Sequence, residues 1–258
     1  MIKTICHFSD LHLKLLKDHD LYRTILSNML EQFKELNPCR IVFTGDMVHS
    51  KNSVSPELIE MVSWILLECS KITKTIIIPG NHDFISNLER LDTLSPIINN
   101  LNNSNIVYYR DRGVYEDENV SWCVYSQFQG NVPPEICDSK GIKIGLFHGP
   151  IQGMKTELGF DFGDEAYPIS KFDGLDVVLC GDIHLRQEFK IQNGKGYMIG
   201  SAICQNYAEK VNKHGFGVLN LETMNYNYSD LHNPKPFLSF SIKSFDDIIN
   251  GDEKLLNG

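Results

Sequence analysis

Five places in this chain put aspartate, asparagine or histidine directly after a short apolar run. They are Asp10 and His12 in "HFSDLHL", Asp46 in "VFTGDMVHS", Asn81 and His82 in "PGNHD", His148 in "LFHGP", and Asp182 and His184 in "VLCGDIHLR". Residues i and i+2 of extended backbone face the same side, so each Asp-x-His pair can aim two ligands at one spot. Singly, each stretch is ordinary: Gly-Asp is turn chemistry, and a histidine beside Gly-Pro suits a bend. As an ordered set they form a ligand constellation. Three carboxylates, one amide oxygen and three imidazoles exceed what one tetrahedral ion takes, and no cysteine joins them. Mixed oxygen and imidazole donors suit Mn2+, Fe2+ or Zn2+, with Mg2+ less comfortable. Two such ions roughly 3.5–4 Å apart, bridged by a carboxylate, activate water against a phosphoryl group. The expected chemistry is phosphoester hydrolysis.

Ligands at strand ends need a sheet to hold them, and open α/β sheets build their sites beyond the carboxyl ends of their strands. The runs "KTICHF", "RIVFTGD" and "TKTIIIPGNHD" predict three buried strands. Between the first two, Leu21, Ile25, Met29 and Phe33 fall at helical spacing. Ser55-Pro56-Glu57 supplies an N-cap, an N1 proline and an early acid for a helix running through Cys69. This alternation predicts an α/β fold with a parallel sheet. Further strands are expected at "NIVYY", "VSWCVYSQF", "IKIGLFHG", "LDVVLCGD" and "GFGVLNLE", and a hairpin turning at Asn193-Gly194. The Asn-rich stretch 99–105 is expected to be a loop. Beyond Glu222 the chain turns polar, with two prolines, which predicts a linker. The expected organisation is therefore one domain over 1–223 and a linking segment over 224–258.

The 258 residues are 42% hydrophobic and 22% charged, ordinary for a globular protein. No apolar run approaches the ~20 residues of a membrane span, and the N-terminus lacks a secretory signal, so no membrane association is expected. Seven scattered cysteines without a C-x-x-C pair speak for a reducing compartment. The expected location is cytoplasmic, extending to the nucleoid or, for a viral chain, the host cytoplasm. A net charge of −9 counts against generic nucleic-acid binding, but less against a nuclease whose cations offset its carboxylates.

The motif order Asp-x-His, Gly-Asp, Gly-Asn-His-Asp, His-Gly, Gly-Asp-x-His over residues 2–222 resembles the calcineurin-like metallophosphoesterases. That resemblance implies a four-layer α-β-β-α sandwich and two divalent cations. It implies that Asp10, His12 and His184 hold one cation, that Asn81, His148 and Asp182 hold the other, and that Asp46 bridges them. His82 would bind no metal and would sit over the leaving group as general acid, or stabilise the transition state. "GDMVHSK" and "PGNHD" depart from the protein-phosphatase branch of the family, whereas "GDMVHSKNSVSPELI" is similar to the SbcD-type nucleases of double-strand-break repair. In that subfamily the residue matching His49 supports exonuclease action. The same resemblance implies Mn2+ as the expected ion, DNA as substrate, an SMC-like ATPase partner of the SbcC type, and a homodimer. "NPKPFLSFSI" looks like the start of that subfamily's DNA-capping region.

One departure stands out: the family usually carries Gly-His-x-His where this chain has Gly-Asp182-Ile-His184. A carboxylate ligand there would favour harder ions; the alternative is that Asp182 orients a neighbouring histidine from outside the metal shell. Lys14, Lys17, Lys51, Lys155 and Arg186 flank the motifs and are candidates to touch phosphates, against the alternative of ordinary surface charge. Two other functions compete: a small-molecule phosphodiesterase, such as one acting on cyclic nucleotides, and a non-catalytic scaffold.

Overall fold

The computed structural model describes residues 1–51, 53–84, 90–135, 141–209 and 213–237. The three leading apolar runs form strands β1 (Thr4–Phe8), β2 (Arg40–Phe43) and β3 (Thr75–Ile77), joined by helices α1 (His19–Leu36) and α2 (Pro56–Ile72). Helix α3 (Leu94–Leu101) then leads to β4 (Ile106–Tyr108), and these four strands run parallel side by side. Strands β5 (Gly113–Asp117), β6 (Val120–Tyr125), β7 (Ile142–His148), β8 (Val177–Gly181), β9 (Gln187–Lys190) and β10 (Lys195–Met198) make a second sheet in the order β5-β6-β7-β8-β10-β9. The chain returns to the first sheet through β11 (Gly215–Asn220) and β12 (Asn225–Asp230), giving the order β12-β11-β1-β2-β3-β4.

Strand alternation divides the apolar residues between cores. Val42, Ile76, Trp122, Val124, Ile144, Leu146 and Leu179 point between the sheets, while their neighbours Ile41, Phe43 and Ile77 face the helices. Each such fully buried side chain contributes about 1.5–3 kcal/mol relative to exposure. Helix α1 lays Tyr22, Ile25, Leu26, Met29 and Phe33 on the first sheet. In α2, Ser55 Oγ accepts from Leu58 N at 3.1 Å and Pro56 opens the first turn, as the sequence predicts. On the outer face of the second sheet, Cys123, Tyr125, Phe147 and Cys180 pack under a loop with 3-10 turns at Gly163–Glu165 and Ile169–Phe172. The α/β sandwich is as expected, with this outermost layer built from short turns among the described residues. No described helix is long and apolar enough to cross a membrane.

Three expectations need correction. The Asn-rich stretch 99–105 begins in helix rather than loop: α3 runs to Leu101 because Leu94, Ile97 and Ile98 bury a stripe that outweighs the polar asparagines. Strand β5 was not anticipated. The linker expected beyond Glu222 begins with β12, which pairs antiparallel with β11 from Asn225 to Asp230. Its alternation explains why: Tyr226 and Tyr228 face the space between the sheets, and the polar residues between them face out. Tyr226 stacks on Tyr197 at 4.1 Å between ring centroids. The expected boundary at 223 therefore cuts through a hairpin. The expected start of a capping region lies, from residue 238 onward, outside the described residues, as does Cys137.

Candidate active site

Parallel β1, β2 and β3 in one sheet and parallel β7 and β8 in the other bring their carboxyl ends to one edge of the sandwich. The turns there are laced together: Asp10 N donates to Gly45 O at 3.0 Å, His12 N to Asp46 O at 3.0 Å, and His148 Nδ1 to Thr44 O at 2.6 Å. Asp10 (φ 55°), His12 (φ 46°), Asp46 (φ 59°) and Asp182 (φ 101°) all occupy the left-handed region. Strained backbone of this kind persists only where its surroundings hold it, and it clusters at functional sites. It also corrects the sequence argument. The Asp-x-His pairs converge because tight turns aim them, not because extended backbone alternates. Gly45 (φ 101°) allows this packing, since a Cβ there would lie 2.5 Å from His148 Nδ1 and 2.7 Å from Gly80 Cα.

The seven expected ligands come together. His12 Nε2 lies 3.1 Å from His184 Nε2, the spacing of two nitrogens sharing one cation through bonds of roughly 2.0–2.1 Å. Asp10 Oδ1 sits 3.8 Å from His12 Nε2 and 3.9 Å from His184 Nε2. On the other side, His148 Nε2 faces Asp182 Oδ1 at 3.6 Å. Asp46 spans both groups, with Oδ2 at 3.4 Å from His12 Nε2 and Oδ1 at 3.4 Å from His148 Nε2. His148 Nε2 and Asn81 Oδ1 are buried without a hydrogen-bond partner, a costly arrangement unless a cation completes it. The donor set therefore fits two divalent cations. The outer nitrogens of two neighbouring histidines are held by groups other than Asp182: His148 Nδ1 by Thr44 O and His184 Nδ1 by Glu209 at 2.8 Å.

Burial and proximity shape the charges. Burial raises Asp10 to about 6 against the pull of His148 and His184, and lowers His12 to about 3 despite Asp46. For Asp46, burial alone would raise the carboxyl, but His148 and His12 more than offset it and hold it below the usual range. Burial would likewise lower His184, yet its bond to Glu209 raises it to about 9.

His82 lines a cavity of about 340 Å³ together with Lys14, His49, Asn81, Asp182 and His184. Its Nδ1 bonds to His49 O at 2.7 Å, which leaves Nε2 unengaged by that carbonyl, and its backbone N donates to Asp46 Oδ1 at 2.8 Å. The His49 ring stacks on His82 with centroids 5.9 Å apart. Of the five basic residues singled out, only Lys14 lines this cavity. Arg186 turns away, over the Tyr228 ring and into an ion pair with Asp230, which removes it as a phosphate contact. Lys51 lies in a separate groove with Val54 and Ile97, while Lys17 and Lys155 are exposed outside the cavity. A larger cavity of about 750 Å³, lined by Asn119, Ile142, Asp176 and Asn193, opens at the amino ends of β7 and β8 and contains no histidine.

Two buried carboxylates that hold the site's turns and side chains were given no role in the sequence argument. Asp83, fully buried, accepts from Gly80 N at 2.8 Å, Asp46 N at 2.9 Å and Val48 N at 3.1 Å, tying the β2 turn to the β3 turn. Its place in "GNHD" was the available signal. Glu209 follows no strand and had none.

A profile described as calcineurin-like phosphoesterase matches residues 3–186. An uncharacterized protein of Acanthamoeba polyphaga mimivirus is 35% identical over 233 residues, which cover 84% of this chain and 17% of that protein's length. Among solved structures, a dimetal phosphatase from Danio rerio aligns with TM-score 0.54 and 11% identity over 85% of this chain and 93% of its own. An archaeal phosphodiesterase aligns with TM-score 0.48 and 16% identity over 87% and 97%, respectively. A phosphoesterase from E. coli aligns with TM-score 0.44 and 15% identity over 90% and 100%. At its identity, the likeness to the Danio rerio protein is one of fold. With the profile covering most of its length, this chain belongs to the calcineurin-like phosphoesterase family.

Proposed function

We propose that this chain is a two-metal-dependent phosphodiesterase whose substrate is DNA, a nuclease of the SbcD type. The observation that carries the hydrolytic reading is Asp46, with one oxygen turned to each imidazole group at 3.4 Å. Asp10, His12 and His184 would hold one cation, Asn81, His148 and Asp182 the other, with Asp46 between them; Mn2+ is the expected ion. Two cations in such a site supply an activated water for in-line attack and neutralise phosphoryl charge.

The chain's own groups do the rest. With Nδ1–H donated to the His49 carbonyl, His82 presents Nε2 to the departing 3′-oxygen and, in its doubly protonated form, delivers the Nε2 proton there. The His49 ring backs His82 in the cavity, and Lys14 meets a phosphate oxygen. What supports DNA as the substrate is His49 in its "GDMVH" setting beside His82. An SbcC-type ATPase and a second copy of this chain are the partners that accompany this reading.

One observation favours a second reading, a small-molecule phosphodiesterase: the net charge is −9 and Lys14 is the one lysine or arginine among the described cavity residues. The test is Mn2+-dependent hydrolysis of linear duplex DNA beside an aryl phosphodiester, for wild type and His82→Ala. DNA cleavage that is lost in His82→Ala and falls steeply between about 50 and 200 mM salt supports the nuclease. Aryl ester hydrolysis with intact DNA, with or without the ATPase, supports the small-molecule enzyme.

A further inference from the structure

We propose that Glu209 is a positioning residue that sets the occupancy of one metal site and not the other. The inference rests on the two-metal reading above. Glu209 is 6% exposed, and four donors converge on its carboxylate. Oε1 accepts from His184 Nδ1 at 2.8 Å and from Asn206 Nδ2 at 2.8 Å. Oε2 accepts from Gln205 N at 2.8 Å and Ser201 Oγ at 3.1 Å. With both oxygens engaged, the carboxylate cannot turn. When neutral, His184 is thereby kept in the tautomer with hydrogen on Nδ1 and a lone pair on Nε2, the atom that faces His12.

The loop that Glu209 closes reaches the same group a second way. Gln205 Nε2 donates to Leu11 O at 3.2 Å and Asp10 O at 3.4 Å, on either side of the bond between Asp10 and Leu11. One carboxylate therefore supports the loop that positions Asp10, His12 and His184. In the other group His148 is held by different means, through Thr44 O, and the Asp46 that both groups share is held through Asp83. Carboxylates behind metal-bound histidines raise the histidine's basicity and fix its ring. Here that support bears directly on one site of two; the other is reached only through Asp182 N, which donates to the Asp10 carboxylate at 3.1 and 3.2 Å.

Glu209→Gln tests this with the smallest change of shape. An amide accepts through one atom only, so its NH2 must face either the His184 and Asn206 donors or the Gln205 N–H. Calorimetric titration with Mn2+ should show two bound ions in wild type. In Glu209→Gln one affinity should fall by about 10–100-fold while the other stays within about twofold. A Glu209→Ala variant should show the same one-site loss. With Zn2+ as a diamagnetic probe, the 15N signals of the His184 ring should show a single Nδ1–H tautomer in wild type and loss of that signature in Glu209→Gln. Unaltered circular dichroism separates these effects from unfolding. Two sites equally weakened, or both unchanged with His184 still in one tautomer, would overturn the proposal. A wild type that binds no divalent cation would instead overturn the two-metal reading on which it rests.

Discussion

His7 provides a quantitative test of how tightly the two sheets close over one another. It is fully buried on β1, with Nδ1 2.8 Å from Tyr226 Oη and Nε2 2.8 Å from Thr44 Oγ1. A neutral ring offers one donor and one acceptor, and the two hydroxyls can supply the complement. Burial pushes its pKa down to about 3, from 6.5. The unfolded chain binds a proton here between those values and the folded chain does not, so stability is full above pH 6.5 and falls as pH drops toward 3. At 1.36 kcal/mol per unit, moving from about pH 8 to about pH 5 should cost about 2 kcal/mol at this one residue. His7→Gln keeps a donor and an acceptor but does not titrate. Urea unfolding of both proteins at both pH values isolates the term, because the other titrating groups are shared. With a slope near 3 kcal/mol/M, the wild-type midpoint should drop about 0.7 M further than the variant's. Equal drops in the two proteins would refute the sealed, neutral His7 and the tight β12 closure that buries it.

Other expectations follow from the same geometry. Asp83→Asn sets an NH2 against at least one of three backbone N–H groups, so it should lose about 1–3 kcal/mol in urea unfolding and weaken Mn2+ binding by releasing the Asp46 turn. Asp182→His replaces an oxygen donor with imidazole, and competition titrations should show preference moving from Mg2+ and Mn2+ toward Zn2+. Leu146→Ala, fully buried between the sheets, should lose about 2–5 kcal/mol, read as a lowered urea midpoint at unchanged slope. Ser55→Ala removes the α2 cap and should cost about 1 kcal/mol in thermal unfolding.

The parts of the fold that were legible are those where local pattern and burial agree. The apolar runs of β1, β2, β7 and β8 are hydrophobic on both faces because both faces are covered, and α1 and α2 carry apolar stripes with an unambiguous Ser-Pro start for α2. Strand β12 was hidden because only Tyr226 and Tyr228 point inward, so its composition is that of a loop. Helix α3 was hidden by its asparagines. Arg186, after His184, stood as a candidate phosphate contact or an ordinary surface charge, and a side chain's direction depends on neighbours such as Tyr228 and Asp230 that sequence distance does not reveal.

By itself, the sequence carried the candidate chemistry: seven side chains of metal-ligating type, a set dominated by oxygen and imidazole, and apolar strands whose ends present them. Ligand type and the apolar run before it are local properties, written within a few residues. Only the tertiary structure decided how these groups are brought within reach of one another. Asp46 comes to lie between His12 and His148 because β1 and β2 in one sheet meet β7 in the other. Left-handed turns, rather than pleated strands, aim Asp10, His12, Asp46 and Asp182. Glu209 reaches His184 across 25 residues through a loop whose path depends on packing. Convergence of this kind arises from the docking of two sheets, and no window of sequence contains it.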